Sequence, residues 1–107
     1  MPAGRRMFAQ GWKYEGQPIL VTEFGGISYK KSDWDGWGYS SASSDEDFAK
    51  RYYDVVSAIL ESDLIQGFCY TQLTDVEQEI NGLLTYDRKP KIDPKIIRQI
   101  NEGKLKL

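Results

Sequence analysis

The sequence predicts an α/β fold with the element order β-α-β-α, on three observations. Two short apolar runs rich in β-branched and aromatic residues, at 18–24 and 67–73, have the length and composition of strands. Between them lies a stretch with apolar residues at three- and four-residue intervals, the period of a helix packed on one face. After the second run, Asp93-Pro94 supplies a helix N-cap followed by proline at the first helical position. At 107 residues and 40% hydrophobic content, one small domain is the size this chain supports.

Residues 1–15 are a lead-in, in which Met1 to Arg6 read as an appended segment and Met7 to Tyr14 equally as the natural approach to the first strand; the β-α-β-α part spans 16–107. The first strand, PILVTEF at 18–24, opens on Pro18 and closes on Gly25-Gly26. Its nearly continuous apolar character predicts burial on both faces. Residues 25–44 are rich in Gly, Ser and aromatics, with Trp34, Trp37 and Tyr39 spaced along them without a period, which predicts a long loop of functional weight. The helix starts after Ser44, with Asp45, Glu46 and Asp47 in the turn where the helix dipole favours acids. Its stripe of Phe48, Tyr52, Val55, Val56, Ile59 and Leu60 ends near Ser62.

The second strand, GFCYTQL at 67–73, is separated from the first by that helix, so the two are expected to run parallel with a right-handed crossover. Residues 75–90 read as a second, polar loop with a short extended piece at 83–86, in which Asp75, Glu77 and Glu79 face solvent. The run Arg88-Lys89-Pro90-Lys91 reads as a solvated face. The last helix carries Ile96, Ile97 and Ile100 and stops at Gly103. A two-stranded parallel sheet is too small to cover its own faces. Either copies associate through exposed strand edges, or the strands belong to a larger sheet.

Composition narrows the chemistry. Fourteen Lys and Arg against 16 Asp and Glu give a net charge of −2, without the basic field that draws nucleic acid. With no histidine, the Ser-His-Asp and Cys-His arrangements and the usual zinc sites are absent. Cys69 has no partner for an internal disulfide and is expected to act as a small buried hydrophobe. Neither metal nor cofactor is implied. Apolar stretches stay far below the roughly 20 residues that span a bilayer, so a soluble chain with no membrane partner is expected. Its compartment is left open, the cytoplasm being favoured if no signal peptide precedes it.

Glu23 is the residue that stands out. It lies at the carboxyl end of a strand, where parallel α/β folds present their working residues. Read from the residues alone, it either works there or emerges into solvent beside a lysine. Trp34, Trp37 and Tyr39 offer flat apolar surfaces that suit the C–H face of a sugar, or else pack the loop against the strands.

PILVTEFGG followed by GFCYTQLTDVEQEINGLLTYDRKPK resembles, in this order and separation, the last two β/α units of the family-two glycoside hydrolases, the β-galactosidase and β-glucuronidase group. The resemblance runs from about Gly16 onward. It implies a (β/α)8 TIM barrel of which this chain carries strands seven and eight as a fragment, with Glu23 as the nucleophile of a retaining β-glycosidase and a carbohydrate as substrate. The same resemblance puts Tyr70, Thr71 and Gln72 at the sugar together with Trp34 and Trp37, although the family often has tryptophan where Thr71 stands. The retaining reaction needs a protonated carboxyl about 5–5.5 Å from the nucleophile, and the family draws it from strand four, which this chain lacks. A fragment inactive alone is therefore expected. A self-associating or carbohydrate-binding α/β module without catalysis is the alternative.

Overall fold

The structure, a computed structural model, describes residues 15–30 and 36–105. Strand β1 (Ile19–Gly25) is followed by two-residue strands β2 (Ile27–Ser28) and β3 (Ser40–Ser41), helix α1 (Asp45–Leu60), strand β4 (Ile65–Thr71) and helix α2 (Pro94–Asn101). β1 pairs with β4 in parallel, and β2 with β3 likewise. The α/β class and the parallel β-α-β order thus hold. The second strand begins at Ile65, two residues ahead of expectation, because Ile65 takes Ile19 as its ladder partner as soon as the chain leaves α1.

Both helices begin where their caps dictate. The Ser44 side chain accepts the Asp47 N–H at 3.0 Å and Asp93 accepts that of Lys95 at 2.9 Å, each satisfying an orphan donor of the first turn. From α1, Phe48, Tyr52, Val56 and Ile59 are buried, while Leu60 at the end of the expected stripe is exposed. Phe48, Tyr52 and Val56 form the core with Ile27, Ile92 and Ile100, and Phe24, Phe68 and Tyr70 close it from the sheet. The Tyr52 hydroxyl donates to Asn101 Oδ1 at 2.7 Å, which ties α1 to α2.

Three expectations are corrected. β1 is not buried on both faces: Leu20 is 59% exposed and Thr22 and Glu23 are exposed, since among the described residues β4 is the only strand beside it and no layer covers its second face. Cys69 is exposed on that same uncovered sheet rather than packed. The segment after β4 is not a solvated loop but a hydrogen-bonded structure. Leu83 and Leu84 donate to the carbonyls of Gln72 and Leu73, Asp75 donates to Leu84, and Lys91 to Leu83. The extended piece near 83–86 survives only as single bridges at Leu84.

That segment is pinned from inside. The side chain of Lys91 is fully buried and that of Asp75 only 2% exposed, with Nζ 2.7 Å from Oδ1. Nζ also donates to the Ile80 carbonyl at 2.9 Å, and Oδ1 accepts the Gly82 N–H at 2.9 Å. Burial depresses the Lys91 amine below its ordinary range, and Asp75 opposes that shift. The sequence places Asp75 and Lys91 in solvent; the fold draws them inward, where Asp75 gives the buried Gly82 N–H its acceptor and Lys91 joins the Tyr29 N–H as a second donor to the Ile80 carbonyl.

Candidate functional site

The end of β1 departs from a regular ladder. Val21 faces Phe68 and Phe24 faces Tyr70, so Thr22 and Glu23 together stand opposite the single residue Cys69. Such a bulge breaks the alternation of side chains and re-aims one of them. As a result the consecutive residues Thr22 and Glu23 are both exposed. Gly25 then turns the chain at φ 93°, and a Cβ on it would lie 2.1 Å from Tyr70 Cε2, so only glycine lets the strand end this close to the tyrosine ring.

Beyond the bulge opens a cleft of about 620 Å³ lined by Glu23, Phe24, Gly25, Gly26, Tyr39 and Thr71. Glu23 is the one carboxylate among those residues. Tyr39 is 70% exposed and Trp37 51%, and their rings meet edge to face at 5.9 Å. The backbone holds both in place: Tyr39 N–H donates to Gly26 O at 2.7 Å and Trp37 N–H to Gln78 O at 2.6 Å.

The other residues expected at the sugar fall into separate places. Thr71 lines the cleft, and its peptide to Gln72 is cis. Tyr70 points the other way, edge-on to Phe24 and to Tyr52 at 5.4 and 4.8 Å, with its hydroxyl accepting the Ile27 N–H at 3.2 Å. Burial holds its phenol well above the ordinary range. Tyr70 therefore supports the floor of the cleft from the core side. Gln72 turns to Asn81, donating to its Oδ1 at 2.7 Å, and Asn81 in turn donates to Glu79 Oε1 at 3.1 Å. Trp34 lies outside the described residues. Glu77 and Glu79 sit on a tight turn closed by reciprocal bonds between Val76 and Glu79.

The Gln72–Asn81–Glu79 chain and the Asp75–Lys91 pair are what the reading of the sequence missed. Each joins residues nine and 16 positions apart across an aperiodic segment, and no spacing rule covers that. Among the described residues, no group of three His, Cys, Asp or Glu is placed to hold a metal ion. Nor is any helix long and apolar enough to cross a membrane.

No family model and no curated protein sequence matches the chain. Solved structures do, among them that of an exo-beta-agarase, with a TM-score of 0.63 and 18% identity over 83% of this chain. The likeness is one of fold. The chain spans 14% of that protein's length.

Proposed function

We propose that the chain is part of a retaining β-glycosidase of the family-two type, its two strands being the seventh and eighth of a (β/α)8 barrel, with Glu23 as the nucleophile. The observation that carries this reading is the bulge, which presents Glu23 at the carboxyl end of a parallel strand, over a cleft edged by exposed aromatic rings. The fold shared with part of an exo-beta-agarase supports it. In such a reaction a Glu23 oxygen forms a bond to the anomeric carbon while the bond to the leaving oxygen breaks. The departing electron pair is taken up with a proton from a second carboxyl. Glu23 has no such partner among the described residues of its cleft, so alone the chain attacks only glycosides whose leaving group departs without a proton. General acid assistance is worth typically 10²- to 10⁴-fold, and ordinary glycosides are left untouched.

Two assays separate the halves of this reading. A 2,4-dinitrophenyl 2-deoxy-2-fluoro-β-galactoside has a leaving group that needs no acid and forms a slowly hydrolysed ester. Intact-mass analysis is expected to show one added fluoroglycosyl unit, absent from Glu23→Gln. An unmodified wild-type chain, across the galacto, gluco and glucurono series, would remove Glu23 from the role. Nitrophenol release from simple nitrophenyl β-glycosides is expected to be silent, and turnover that depends on Glu23 would mean the acid is supplied within the chain or its assembly.

A second reading, a self-associating or carbohydrate-binding module without catalysis, is favoured by the uncovered sheet. Leu20 stands out on β1, and a groove of about 600 Å³ follows residues 17–23. Open parallel edges invite further strands. Sedimentation at rising concentration tests it: a mass that stays monomeric argues against association.

A further inference from the structure

We propose that Glu79 and Trp37 form a carbohydrate-binding subsite of their own, in which the indole covers the C–H face of a sugar ring and the Glu79 carboxylate accepts two of its hydroxyls. This deepens the carbohydrate reading above and rests on it. Trp37 and Glu79 are ladder partners in a parallel bridge: Trp37 N–H donates to Gln78 O at 2.6 Å and Ile80 N–H to Trp37 O at 2.9 Å. Residues paired in this way project their side chains to the same face, with strands about 4.8 Å apart. An exposed flat ring and a carboxylate therefore leave one surface side by side.

Both groups are fixed before any ligand arrives. The segment that carries Trp37 is wedged between residues 26–28 and 78–80, so tightly that a Cβ on Gly36 would fall 2.2 Å from Gln78 O and one on Gly38 2.7 Å from Gly26 O. Half of the indole nevertheless remains in water. A large apolar ring carried on a fixed backbone, with only two χ angles to order, loses little freedom on binding, which favours recognition. On the other side, Glu79 Oε1 accepts from Asn81 Nδ2, Asn81 is itself fully buried, and Gln72 orients Asn81. A carboxylate offers about four acceptor positions, and this bond occupies one. The remainder suits two neighbouring hydroxyls on a pyranose, while the ring beside it suits the apolar face of the same sugar.

The subsite lies beside the cleft through Tyr39, whose ring meets Trp37 edge to face at 5.9 Å and which lines the pocket with Glu23. The test is a titration of the labelled chain with β-1,4-linked galacto-, gluco- and manno-tetraoses, followed by the indole N–H resonance of Trp37, assigned through Trp37→Phe. Glu79→Gln keeps an oxygen for Asn81, and an unchanged amide spectrum confirms its fold. The expected result is a saturable Trp37 shift whose affinity falls roughly tenfold to a hundredfold in Glu79→Gln, the loss of a hydrogen bond to a charged group, and holds within twofold in Asp63→Asn, an exposed carboxylate at the opposite end of β4. Binding that leaves Trp37 unmoved, or that is equal in wild type and Glu79→Gln, overturns the subsite and leaves the carbohydrate reading standing. No shift with any of the three tetraoses overturns both.

Discussion

Replacing Asp75 by Asn isolates the charge of the buried pair. Asp75 Oδ1 accepts from both Lys91 Nζ and Gly82 N–H, and an asparagine oxygen in the same place accepts both bonds, so the substitution removes the charge and little else. At 2.7 Å the attraction is about 6 kcal/mol for an effective dielectric constant of about 20. The intact pair nets far less, because both ions have been taken out of water. Once the negative partner is gone, the attraction is lost while the ammonium stays desolvated, a loss of about 3–5 kcal/mol. A chain of this size has roughly 5–15 kcal/mol in total, so the melting temperature is expected to fall by roughly 10–20 °C. Urea denaturation followed by circular dichroism measures it.

The pH dependence sharpens this prediction. Burial lowers the Lys91 pKa in the folded state and Asp75 counteracts it; in Asp75→Asn the counteraction is gone and the folded value drops further below the unfolded value of about 10.4. The folded variant then binds fewer protons than the unfolded chain between those values, so its stability rises with pH through that window. Its deficit against wild type is expected to be greatest near neutrality and to narrow towards pH 10. Adding Lys91→Met to Asp75→Asn is expected to restore most of the loss, since the Ile80 carbonyl keeps the Tyr29 N–H at 3.0 Å. A deficit under 1 kcal/mol, or a double variant no better than the single, would refute the claim that an orphaned buried charge is what destabilises.

Other consequences are simpler to check. Tyr52→Phe removes the bond to Asn101 and is expected to cost about 1 kcal/mol by urea titration, with α2 losing amide protection before α1. Ser44→Ala removes the α1 cap, with an expected loss of about 1 kcal/mol in the same assay and more fraying at Asp45 to Asp47 in hydrogen exchange. Gly25→Ala meets both a left-handed φ and the Tyr70 ring, and is expected to lose at least about 1–3 kcal/mol from the backbone alone; thermal melting decides it. Burial raises the phenols of Tyr52 and Tyr70 in the folded state. The unfolded chain therefore sheds those protons first, and stability is expected to decline as pH passes about 10, a decline that Tyr70→Phe reduces.

Periodicity and caps made the helices legible. The stripe from Phe48 to Ile59 and the Asp93-Pro94 start depend on neighbours three or four residues away, and both stand within a residue or two of where they were expected. The parallel order followed from the helix lying between two strands. Local pattern failed where distant partners decide. Apolar β1 was expected to be covered on both faces, but coverage is a property of the surrounding layers, and Leu20 has none. Asp75 and Lys91 look like solvated residues until the 72–91 segment folds back and brings them together. For the candidate site, the strand end at Glu23 was readable, whereas the bulge that exposes it is a matter of register against β4 and leaves no mark in β1. The same holds for Tyr70, whose inward direction is fixed by Phe24 and Tyr52.

The wedged segment around Trp37 also bears on how this chain can be altered. Loops between strand and helix are the usual places to graft a tag or a reporter. Here the backbone from Gly36 to Ala42 is bonded on both sides, to Gly26 and Ser28 and to Gln78 and Ile80, so an added residue would shift every one of those bonds out of step. The tip at 86–89, where Tyr86 to Lys89 are all exposed, closes on Thr85 through the Arg88 and Lys89 backbone, so a graft there disturbs the bonds of that one turn and leaves the ladder between residues 36–42 and their two neighbours in step.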